Sequence, residues 1–162
     1  MRYVGIDPST KTGIVVIDGD QTFSKEITSK VKKDPERFYD ITAQILNWLQ
    51  EGDKIAIEGF SYGSKGRGVS TQYGVGWIIR GELIKNGYSY TEVTPNAVKK
   101  FATGKGNEKK ENMVLPIYKH WGFENPSDNI RDAFVLAQVM KGMYGLSRLT
   151  KYQIDVINNI GN

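Results

Sequence analysis

The chain has 162 residues, 22 Lys and Arg against 18 Asp and Glu for a net charge of +4, 39% hydrophobic residues and no cysteine. Such a length fits one domain able to bury a core without staples, and the lack of cysteine excludes disulfides, thiolate metal sites and cysteine nucleophiles. No apolar run approaches the ~20 residues that span a bilayer, and the N-terminus leads straight into a strand pattern without a signal peptide, so a reducing, cytoplasmic setting is expected.

The first segment, RYVGI (2–6), is a short β run ending on Asp7. PSTKTG reads as a turn, IVVID (14–18) as a second strand, and Asp18-Gly19-Asp20 as the hairpin into a third strand near 21–25. Between Asp34 and Glu51 the residues Phe38, Ile41, Ile45, Leu46 and Leu49 recur at helical spacing, after an Asp34-Pro35 start. KIAIE (54–58) is a buried strand that again ends on an acid. A glycine-rich, basic, aromatic loop (59–68) follows, then a helix over 69–85 whose glycines call for the close approach of another helix. YSYTEV (88–93) is a strand, and Thr94-Pro95 caps a helix through Phe101. After the loop ATGKGN, helices are expected over 108–121, 127–144 and about 150–160. The pattern predicts an α/β domain: a mixed five-stranded sheet flanked by helices, spanning residues 1–145, with 146–162 a helical extension of the same domain.

Four acidic residues carry the chemistry. Asp7 and Glu58 end strands that can lie side by side at one carboxyl edge, where sites in open α/β sheets form. Asp128 and Asp132, four residues apart on one helix face, can point at the same edge. Singly, each has an ordinary role: a turn cap, or a first-turn acid at a helix start. Jointly, several carboxylates in one pocket stay ionised only with cations among them. Hard oxygen ligands suit Mg2+, with Mn2+ able to substitute. Two such ions can activate a water and stabilise the leaving oxygen of a phosphodiester. His120 is the only histidine, which argues against a serine–histidine triad.

The segments YVGIDPSTKTGIVVID, IAIEGF, TPNAVKKFATGKGNEKKENM and DNIRDAFVLA resemble, in order and spacing, the RuvC family of Holliday-junction resolvases, over roughly residues 2–142. The Val-Lys, Gly-x-Gly, Lys segment is the most specific part. The resemblance implies an RNase H-like fold, a homodimer, branched DNA as partner and a divalent-metal site. Asp7, Glu58 and Asp132 match the family's catalytic acids, with Asp7 bridging the two ions. Cellular members place the fourth acid where Asn129 stands. Asp128, one residue earlier as in phage-type relatives, is assigned that role, and Asn129 stays open as a weak oxygen ligand.

By the same resemblance Lys110 binds phosphate near the site, with Lys105 and Lys109 as neighbours, supplying affinity rather than sequence reading. Phe60 and Tyr62 stand where the family places an aromatic that stacks on opened bases, and Lys65 and Arg67 would hold the backbone beside them. The helix over 69–85 corresponds to the dimer helix, with Tyr73, Trp77 and Ile78 as contacts. The implied function is resolution of four-way junctions by paired nicks, and the alternative is a broader flap or fork endonuclease. GIDPSTKTG also resembles the first phosphate loop of actin-like ATPases, but no second Asp-Gly-Gly loop accompanies it. A non-catalytic DNA-binding relative would have lost an acid.

Overall fold

Alternation of side chains along the strands decides which side of the sheet each residue serves. The strands of the computed structural model, which describes residues 1–161, are β1 (Arg2–Asp7), β2 (Thr12–Asp18), β3 (Gln21–Ile27), β4 (Lys54–Glu58) and β5 (Tyr90–Val93). They form one mixed sheet in the order β3-β2-β1-β4-β5. The first three strands pair antiparallel as a meander, whereas β4 and β5 run parallel to β1.

Val4, Ile6, Ile14, Val16, Ile55 and Ile57 face one layer, made by α1 (Glu36–Leu46) and α2 (Val69–Lys85). Tyr3, Val15, Ile17, Ala56 and Val93 face the other, made by α3 (Pro95–Thr103), α4 (Val114–Trp121), α5 (Asp128–Met143) and α6 (Lys151–Asn158). Both faces of the central strands are thereby covered, as parallel pairing requires. This is the expected RNase H-like architecture, a mixed five-stranded sheet with helices on both sides.

Local chemistry sets the helix ends. The Thr94 hydroxyl accepts from the Ala97 amide before Pro95, and Gly104 closes α3 at φ +85°. Ser127 caps α5 by accepting from the Ile130 amide, and Thr150 and Gln153 form a reciprocal capping box on α6. α6 packs back on α3: Gln153 Nε2 donates to the buried Phe101 carbonyl, and Lys100 pairs with Asp155. Of the expected extension, only Asn162 lies outside the described residues.

Two helices differ from the periodicity. α1 stops at Leu46, and residues up to Leu49 continue in i→i+3 bonds rather than as α-helix to Glu51. The helix expected over 108–121 begins as a 3-10 turn at Lys110–Met113. Pro116 has no amide to donate back to Asn112, so regular α bonding cannot reach upstream of α4.

Candidate active site

Strand register brings the first two acids together. β1 and β4 pair Ile6 with Ile57, so Asp7 and Glu58 are the next residues on adjacent parallel strands. Ile6 and Ile57 face α1 and α2, so alternation turns Asp7 and Glu58 toward the α5 side.

Two glycines let α5 lie directly on that side. A Cβ on Gly5 would stand 1.8 Å from the Ala133 carbonyl oxygen, and one on Gly13 would stand 2.1 Å from that of Asn129. No other residue permits this approach. It brings Asp132 down to Asp7, and both are buried.

Close, buried carboxylates resist ionisation. Burial, then the charges of Glu58 and Asp132, push Asp7 well above the ordinary carboxylate value, with Lys110 opposing. Burial and the Asp132 charge push Glu58 up to about 7, against Lys110 and Lys99. Burial also raises Asp132, again against Lys110.

Lys110 is the counter-charge of the cluster. Its Nζ donates to Asp128 Oδ2 at 2.9 Å and lies 3.5 Å from Asp132 Oδ2. Burial pulls the ammonium down, but the Asp128 hydrogen bond and the Asp132, Asp128 and Asp7 charges together hold it above the ordinary lysine value. Asp128 is half-exposed and held below its ordinary value by the Lys110 hydrogen bond. Among the described residues no three acidic or histidine side chains close into a preformed metal cage.

Asn129 faces elsewhere. Its Nδ2 lies 3.5 Å from Glu26 Oε2, which also accepts the Ser127 hydroxyl at 2.6 Å. Of the two candidates for the fourth ligand, Asp128 shares Lys110 with Asp132, and Asn129 is tied to the end of β3.

Glu58 and Asp132 open onto a cleft of about 220 Å³ lined also by Ser61, Ser64, Gln72, Pro95, Val98, Lys99 and Lys110. Lys99 was not singled out from the sequence. Its signal was there: it is the lysine of Val98-Lys99, within the segment of most specific resemblance. Lys105 and Lys109 are exposed on the flanking loop, as are Lys65 and Arg67 on the loop after β4.

That second loop carries an aromatic cluster. The Phe60 ring stacks on Tyr73 (centroids 4.9 Å, 18°), lies 4.9 Å from Trp77 and 6.2 Å from Tyr62. Tyr62 is 76% exposed and Trp77 58%. Tyr73 and Trp77, read as contacts of a dimer helix, thus also pack against Phe60 beside the cleft, while Ile78 is partly buried against the core under α1. The glycines of α2 divide likewise. Gly74 makes room for the Phe38 ring of α1 and Gly76 for the Phe60 ring, whereas a Cβ on Gly81 would meet nothing.

No helix among the described residues is long and apolar enough to cross a membrane. No protein-family profile and no curated protein sequence matches the chain. Among solved structures it is similar to Thermus thermophilus RuvC, at 20% identity and a TM-score of 0.64 over 93% of this chain and 100% of that one. It is also similar to T. thermophilus RuvC in complex with a Holliday junction substrate, at 22% identity and a TM-score of 0.64 over 93% and 99% of the two chains. The chain therefore has the RuvC fold over nearly its whole length, with Asp7, Glu58 and Asp132 gathered at one edge of the sheet.

Proposed function

We propose that the protein is a metal-dependent endonuclease that resolves four-way DNA junctions by paired nicks. One observation carries the reading: within this fold, Asp7, Glu58 and Asp132 converge beside Lys110 at the mouth of a cleft that Lys99 also lines. The likeness to a RuvC solved with a Holliday junction supports the choice of substrate.

The donor set suits divalent cations. It consists of carboxylates alone, the hard oxygen donors that Mg2+ and Mn2+ prefer. Burial and mutual repulsion raise Asp7, Glu58 and Asp132, so the pocket lacks positive charge for full ionisation. Asp7, Glu58, Asp128 and Asp132 would hold the ions, with Asp7 shared. Bound cations would supply an activated water and stabilise the leaving 3′ oxygen.

The chain's own residues do the rest. Lys110 and Lys99 would hold the phosphate over the acids, and Lys105 and Lys109 the flanking backbone. Tyr62 would stack on bases opened at the branch, with Phe60 packed beside it and Lys65 and Arg67 along the strand. A second copy would sit against the exposed side of α2, where Trp77 and Ile84 lie uncovered. The paired sites would then nick opposed strands of a two-fold junction, leaving 5′-phosphate and 3′-hydroxyl ends.

The test compares a four-way junction, a Y-fork, a 5′ flap and a linear duplex, with Mg2+ and with chelator. Symmetric nicks in the junction, abolished by chelator, are expected. Equal cleavage of fork and flap would broaden the substrate class. No cleavage of any branched DNA with Mg2+ would overturn the reading.

A further inference from the structure

Among the described residues, one buried cation lies outside the acidic cluster. Arg80 of α2 is 2% exposed, and every side of its guanidinium is engaged. Nη2 donates to the Glu58 backbone carbonyl at 2.9 Å, Nη1 to the Gly76 carbonyl at 3.0 Å, and Nε to Glu92 Oε2 at 2.9 Å. Its plane lies over the Phe60 ring, 4.2 Å from the centroid.

These contacts join four pieces of the molecule: the end of β4, the aromatic loop after it, helix α2 and strand β5. The surroundings are fitted to the arrangement. A Cβ on Gly76 would stand 2.5 Å from Phe60 Cε1 and 3.2 Å from Arg80 Nη1. The Gly59 amide donates to the Val93 carbonyl at 2.8 Å, so β4 is tied to β5 directly beyond Glu58.

Net stability is a weak reason for such a group. Desolvation offsets much of the gain from pairing a buried ion, and an apolar side chain of similar volume fills a core as well. What a guanidinium adds is directional: a planar fork that meets several acceptors while an aromatic ring covers its face.

We propose that Arg80 is a positioning residue of the site. It holds the Glu58 strand end and the Phe60 ring in one fixed relation, so that the metal-binding acid and the aromatic loop beside it are set as a unit. The proposal rests on the nuclease reading above. Arg80 reaches only the backbone of Glu58, so it acts through that residue and not on substrate.

The test uses the full chain with Arg80→Lys, which keeps the charge and loses the fork, and Glu92→Gln, which alters a half-exposed partner. Three quantities are measured: Mn2+ affinity without DNA by calorimetry, junction affinity with chelator, and the single-turnover rate at saturating junction with Mg2+. For Arg80→Lys the rate is expected to fall about 10–100-fold and Mn2+ affinity about 10-fold, as for other residues that orient metal ligands, with junction affinity changed less than about 3-fold. A rate and Mn2+ affinity both within about 2-fold of wild type would overturn the proposal, as would a loss confined to melting temperature, since orienting residues act on metal affinity or activity. If Arg80→Lys does not fold, Glu92→Gln decides: a fall of about 3-fold or more in the saturated rate supports the role, and an unchanged rate removes it. Wild-type protein that cleaves no branched DNA overturns the nuclease reading itself. Wild type and Arg80→Lys that cleave equally and bind Mn2+ equally overturn the Arg80 role alone.

Discussion

At the scale of single residues, Lys110 balances charge that the acids cannot carry alone. It contacts Asp128 and Asp132, and its charge reaches Asp7 and Glu58. Divalent cations would take over that neutralisation and leave the ammonium for phosphate. Lys110→Ala should then weaken DNA binding and make the salt slope shallower by about one unit, and an unchanged slope would deny the phosphate contact. The fourth ligand can be tested the same way. Asp128→Asn should lower cleavage by at least the ~10–100-fold lost with an orienting partner at a metal site, while Asn129→Ala, whose side chain faces Glu26, should leave the rate nearly unchanged. The reverse ranking would move the role to Asn129. Glu58 makes a pH prediction. Its carboxyl goes from 4.5 to about 7 on folding, a raised value. Its contribution to stability is therefore fully present below about 4.5 and is lost as pH rises through about 7. Metal-free protein should lose stability across that window in urea titrations, Mg2+ should restore it, and Glu58→Gln, which cannot ionise, should flatten the slope. A slope identical in Glu58→Gln would rule out this origin.

At the scale of elements, the seat of α5 on β1 and β2 determines whether the acids meet. Gly5→Ala would drive a methyl to 1.8 Å from a helix carbonyl, and the helix must lift. A loss of about 3 kcal/mol, with cleavage reduced even where the protein folds, is expected by chemical denaturation. A fully stable, fully active Gly5→Ala would contradict the packing argument. Much of this level was legible in the sequence. Short apolar runs marked β1, β2 and β4, the Thr94-Pro95 cap marked the start of α3, and the helix starts expected at 127 and about 150 fell within a residue of α5 and α6. Glu108 and Lys109 misled because apolar periodicity does not register the amide missing at Pro116. The close approach suspected at the α2 glycines holds for Gly74 against Phe38 of α1. Gly76 instead receives a ring from a loop, a long-range contact no local pattern encodes.

At the scale of the whole molecule, the acidic site was readable because Asp7 and Glu58 end strands and Asp128 and Asp132 share one face in the first turns of a helix. Arg80 was not readable: its partners Glu58, Phe60, Gly76 and Glu92 are assembled only when α2 crosses the strand ends. The proposed dimer belongs to this scale too. Ile84, 64% exposed on α2, points away from the core. Sedimentation should show wild type as a dimer and Ile84→Glu as a monomer with impaired paired nicking, and a wild-type monomer at working concentration would contradict the two-fold arrangement. If Asp7 organises a metal-dependent nuclease site, Asp7→Asn should disable it. The measurement is single-turnover cleavage of a four-way junction with Mg2+, beside junction affinity with chelator. Cleavage should be abolished and affinity retained, and undiminished cleavage by Asp7→Asn would deny Asp7 its place in the site.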